Sequence, residues 1–117
     1  MQLSWVKCQG EVWCMLGNVN LAHGHFDNMR GVYVIWHAGA TPATVYVGSG
    51  FIRDRLTFHR TSPEVQAFSN LGLYVTWASV PETSREGVES FLANALKPKV
   101  GQARTNTLPI DVNLPWS

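Results

Sequence analysis

The chain has 117 residues, 45% of them hydrophobic and 15% charged, which suits a single domain with one core and leaves no room for two. Nine Lys and Arg against eight Asp and Glu give a formal net charge of +1, so a nucleic-acid partner would have to be met by local clusters of positive charge. No apolar run approaches the ~20 residues of a bilayer span, and no secretory signal pattern opens the chain; a cytoplasmic protein without a membrane partner is expected.

Residues 1–30 read as an N-terminal extension of one or two short elements. Trp5, Val6, Val12, Trp13, Met15 and Leu16 are interrupted by Gln9-Gly10, which fits two short strands or an edge strand and a short helix. Cys8, Cys14, His23 and His25 raise the question of zinc. Five residues separate the cysteines and one separates the histidines, unlike the spacing of zinc fingers. Two buried thiols and two loop histidines are expected instead. Asn18 to Arg30 is a polar connection that should lay Leu21 and Phe26 on the core.

From Gly31 the pattern sharpens. A strand should place Val32, Val34 and Trp36 on one face and Tyr33 and Ile35 on the other. A loop from His37 to Ala43 leads to a second strand, about Thr44 to Val47, which Gly48-Ser49-Gly50 should end. A helix over roughly Phe51 to Arg60 follows. At ~100° per residue, Arg55 and His59 fall inside the apolar arc of Phe51, Ile52, Leu56 and Phe58. They are also i, i+4 neighbours. An arginine aimed at a core is costly without an anionic partner, which marks the pair as a functional candidate. Arg53 and Arg60 fall on the far side.

A short helical turn should start at Ser62-Pro63-Glu64, and Leu73 to Val80 reads as the third strand, stopped by Pro81. Thr83-x-x-Glu86 has the form of a capping box. Val88, Phe91, Leu92, Ala95 and Leu96 then recur at helical spacing before Pro98. Glu89 abuts this stripe. Lys97, Lys99 and Arg104 form a basic patch with no acid between them; with Arg53 and Arg60 they are the candidates for nucleic-acid contact. Residues 102–117 read as an extended tail packing Leu108, Ile110 and Trp116 on the body.

Gly31-Val32-Tyr33, twelve residues, Tyr46-Val47-Gly48, then Arg55-Leu56-x-x-His59, then Glu89 on a later helix ending at Pro98: this series resembles the GIY-YIG nuclease domain over residues 31–101. The resemblance implies an α+β domain, a small three-stranded antiparallel sheet flanked by helices. It implies a divalent-metal-dependent endonuclease that hydrolyses nucleic-acid phosphodiester bonds, with DNA the expected substrate. The implied catalytic residues are Tyr33, Tyr46, Arg55, His59 and Glu89, with Glu89 holding one Mg²⁺ or Mn²⁺ ion. The family commonly carries asparagine three residues after the proline; this chain has Gly101. With no separate recognition domain, a partner protein or a homo-oligomer would supply target specificity.

The residue types suit this chemistry. Phosphodiester hydrolysis needs an activated water, neutralisation of charge on phosphorus and support of the leaving oxygen. Arg55 suits the non-bridging oxygens, and Glu89 suits a hard cation that also binds water and phosphate. Tyr33 would be the base or water-positioning group, with Tyr46 and His59 orienting it or relaying its proton. Two alternatives keep the same residues: a catalytically weakened nucleic-acid-binding module, and a protein-interaction domain in which the tyrosines are sheet residues.

Overall fold

The computed structural model describes residues 1–101 and 107–116. Its four strands are β1 (Cys14–Met15), β2 (Arg30–His37), β3 (Ala43–Phe51) and β4 (Leu73–Ser79). They form one antiparallel sheet in the order β1-β4-β2-β3. The helices are α1 (Ile52–His59), α2 (Pro63–Gln66) and α3 (Glu82–Leu96). The architecture is α+β, with one strand more than the three expected. The addition comes from the N-terminal extension, where Cys14 and Met15 pair with Val75 and Tyr74 of β4.

β2 is the centre of the sheet. It is hydrogen-bonded on both sides and buried from Gly31 to His37, as its Val, Tyr, Ile and Trp content allows. Alternation along it builds two cores. Tyr33 and Ile35 pack with Ile52 and Leu56 of α1, while Val32, Val34 and Trp36 pack with Val88 and Leu92 of α3. The sheet is thus a wall with α1 on one face and α3 on the other. Gly31 lets it close: a Cβ there would overlap the Ala78 carbonyl and lie 2.9 Å from the Val80 nitrogen.

Several local expectations are corrected. Gly48-Ser49-Gly50 does not end β3, which continues to Phe51 in register with Arg30. The glycine backbones keep pairing with β2, because a glycine weakens a strand without depriving it of donors. The Thr83–Glu86 capping box does not form. Pro81, with extended φ and ψ, caps α3 without a side-chain bond, so Thr83 falls inside the first turn. Glu86 instead accepts from the Thr107 hydroxyl at 3.3 Å. Leu108, expected to pack, is 83% exposed; Val112, Ile110 and Trp116 make the tail's contact with the α3 side of the sheet.

The cysteines are not free thiols. Cys8 and Cys14 form a disulfide with Cα atoms 5.1 Å apart, across a reversal in which Gly10 and Glu11 take φ of +80° and +61°. Among the described residues, no helix is long and apolar enough to cross a membrane.

Candidate active site

The site begins with a missing side chain. Register places Tyr33 opposite Gly48 and Tyr46 opposite Ile35. A Cβ on Gly48 would overlap the Tyr33 hydroxyl and lie 2.6 Å from its Cζ. Only glycine there lets the Tyr33 ring lie across β3, where it stacks on Tyr46 with centroids 6.0 Å apart and planes 10° from parallel.

α1 supplies the other side. Ile52 and Leu56 bury its apolar stripe, and the same stripe carries His59 inward, where it is 1% exposed. The Tyr33 hydroxyl and His59 Nε2 are 2.6 Å apart, and the His59 ring lies 4.4 Å from that of Tyr46. Arg55, one turn earlier, donates its Nε to the Tyr33 hydroxyl at 3.4 Å. The Gln66 amide of α2 donates to the His59 carbonyl at 3.0 Å and ties down the end of α1.

Burial governs the electrostatics. It drives the Tyr33 phenol well above its ordinary pKa, a shift that the hydrogen bond and charge of Arg55 only partly offset. It also lowers His59 to about 4, with the positive charge of Arg55 adding to the effect. For Arg55, burial pulls down, but hydrogen bonds and charge from Tyr33 and Tyr46 outweigh it and the net shift is upward. At neutral pH the site therefore holds a protonated Tyr33, a neutral His59 and a charged Arg55. His59 Nδ1 is buried with no hydrogen-bond partner among the described residues. Tyr33 is wholly buried, whereas Tyr46, Arg55 and Glu89 are partly exposed.

Glu89 arrives from the opposite face, on α3. Its Oε1 accepts from the Ser49 hydroxyl on β3 at 2.5 Å, and its charge reaches Tyr33, where it opposes ionisation of the phenol. The two faces of the sheet meet at β3 because β3 is the end strand. Ser49 is the residue that sequence reasoning missed, having been read as part of a turn. The available signal was a hydroxyl directly after Tyr46-Val47-Gly48 and between two glycines. Among the described residues, no three His, Cys, Asp or Glu side chains converge as a metal cluster. A cation here would rely on Glu89 as its carboxylate and take its other ligands from water and phosphate, a donor set that Mg²⁺ accepts.

The expected nucleic-acid contacts divide. The Arg53 guanidinium pairs with Asp27 at 2.8 Å and donates to the Leu21 and His23 carbonyls at 2.7 and 2.9 Å. Arg60 donates to the Leu16 carbonyl at 2.9 Å and also to that of Val19. Both arginines thus staple the 16–27 connection to α1. Lys97 and Lys99 are exposed beyond the end of α3. Arg104 lies outside the described residues. Gly101 has φ of +113°, a conformation that glycine adopts far more readily than asparagine.

Comparison of the chain with protein-family models, with curated proteins and with solved structures finds no match.

Proposed function

We propose that this chain is a divalent-metal-dependent endonuclease of the GIY-YIG type, hydrolysing phosphodiester bonds of nucleic acid, with DNA the favoured substrate. The observation that carries this reading is the meeting of Tyr33, Tyr46, Arg55 and His59 at β3 with the Ser49-anchored carboxylate of Glu89. Five residues chosen from sequence for one reaction come from four elements and both faces of the sheet.

Burial reassigns the roles. Tyr33 is shut from solvent and held in its protonated form, so it is a poor resting base. Tyr46, stacked on it and partly exposed, is the hydroxyl that would position the attacking water. Tyr33 and neutral His59 lie behind as a hydrogen-bonded pair in which the protonated phenol donates to the imidazole and fixes the rings against Tyr46. Arg55 stays charged and would meet the non-bridging oxygens as negative charge builds on phosphorus. Glu89 would hold Mg²⁺ or Mn²⁺, which when bound supplies Lewis-acid stabilisation of the leaving oxygen.

A module that binds nucleic acid without cutting it is the second reading, favoured by Gly101 and by the full burial of Tyr33. Incubation of the full chain with supercoiled plasmid separates the two. Nicking in Mg²⁺ or Mn²⁺ that EDTA abolishes supports the nuclease; salt-sensitive binding without nicking by the folded protein supports the binding module.

A further inference from the structure

A second concave surface lies away from the tyrosines, at the junction of β3, the end of α3 and the C-terminal tail. It is a cavity of about 530 Å³, walled by Trp13, Trp36 and Trp116, with Lys97 and Lys99 among its lining residues. The tryptophans brace one another edge-on: Trp36 lies 4.8 Å from Trp116 and 5.4 Å from Trp13 between ring centroids. The lysine segment is also fixed, since the Lys99 and Val100 amides donate to the Thr44 and Val45 carbonyls of β3 at 3.1 and 2.8 Å. Among the described residues no acidic side chain lines the cavity, although the whole chain carries a net charge of only +1.

Aromatic walls beside two ammonium groups select a particular chemistry. A cationic ligand, which an aromatic cage would otherwise suit, is repelled by the lysines. An uncharged peptide makes no use of them. A nucleotide uses both, with its base against the indoles and its phosphate on the ammonium groups. The volume falls within the ~300–1,000 Å³ of small-ligand sites. A base within a duplex has both faces stacked and cannot enter; an unpaired base can.

The cavity and the candidate active site share β2, β3 and α3. Glu89 and Leu96, the latter lining the cavity, are seven residues apart on α3. That spacing is two turns on nearly the same helix face, or ~10 Å along the axis. A few nucleotides of an unpaired strand span that distance.

The geometry points to this cavity as a subsite for an unpaired nucleobase and its phosphate, so that the favoured substrate carries a single-stranded segment within a few nucleotides of the bond cut. The placement of the cut rests on the nuclease reading; the binding of single strands does not. The test uses the full chain in EDTA with two fluorescein-labelled probes, a short oligothymidylate and a blunt duplex of equal length. The single strand is expected to bind about tenfold tighter and to quench tryptophan fluorescence. Trp116→Ala should weaken single-strand binding by about five- to a hundredfold. Because Trp116 also packs on the body, Lys97→Gln/Lys99→Gln provides a second variant at exposed positions. It should reduce the magnitude of the single-strand salt slope by roughly 1.4. Equal binding of the two probes, no effect of either variant, or quenching by a proline-rich peptide in place of the oligonucleotide overturns the subsite. Plasmid nicking by the wild type is scored separately. Nicking without single-strand preference overturns the subsite alone, and single-strand preference without nicking overturns the nuclease alone.

Discussion

The Tyr33 hydroxyl, on β2, and Nε2 of His59, at the end of α1, lie 2.6 Å apart in the interior. Since Nδ1 of His59 has no partner among the described residues, the phenol is the polar anchor of that ring. Tyr33→Phe keeps the ring and removes the anchor, stranding the imidazole. The variant should lose about 1–3 kcal/mol of stability in urea unfolding, the cost of leaving a buried polar group unsatisfied. Its metal-dependent cleavage should also fall, because the imidazole and the Tyr46 ring packed on it lose their fixed placement. A variant as stable as wild type would show that the contact holds nothing.

The pH dependence of folding follows from His59. Its folded pKa, about 4, lies below the unfolded value of ~6.5, so the unfolded chain takes up the proton first as pH falls. The stability from a neutral His59 is therefore full above pH ~6.5 and is lost between ~6.5 and ~4, amounting to about 3 kcal/mol. Wild type minus His59→Gln, compared by urea midpoints at pH 7 and pH 4, isolates it from the carboxylates common to both. A difference that stays flat across that window would mean that His59 is not held neutral by the fold.

Gly48→Ala tests how the tyrosines stack. The new methyl would collide with the Tyr33 ring, so the variant should lose about 1–3 kcal/mol by overpacking and lose cleavage with it. Gly17→Ala, which meets nothing within 4 Å, is the control and should melt close to wild type.

Much of this arrangement was legible in residues 31–59. Val32, Val34 and Trp36 against Tyr33 and Ile35 gave the two faces of β2, because alternation in a strand is a rigid rule. The inward aim of Arg55 and His59 followed from helix geometry in the same way. Other features needed long-range contacts. The Ser49–Glu89 bond joins residues forty apart, and nothing local distinguishes that serine from a turn residue. Arg53 and Arg60 looked solvent-facing because a wheel cannot show a loop folding back onto a helix. The Cys8–Cys14 bridge depends on positive φ at Gly10 and Glu11, and the second of these is a residue type that rarely adopts it.

Arg53 and Arg55, two residues apart on opposite faces of α1, should separate cleanly. Arg53→Ala removes the Asp27 pair and the carbonyl contacts that hold the 16–27 connection. It should lower the melting temperature and leave kcat intact. Arg55→Lys keeps charge but loses the planar fork, so kcat should fall strongly while KM changes little. Equal losses of kcat and of affinity in Arg55→Lys would make it a docking residue.

The most direct measurement is plasmid nicking in Mg²⁺ or Mn²⁺ by wild type, Glu89→Ala and Glu86→Ala, each checked for folding by circular dichroism. Glu89 is half-buried on Ser49, whereas Glu86 is exposed and accepts from the Thr107 hydroxyl. The account predicts EDTA-sensitive nicking by wild type and by Glu86→Ala, and none by a folded Glu89→Ala. A folded wild type that leaves the plasmid intact, or a Glu89→Ala protein that nicks as fast as wild type, would contradict it.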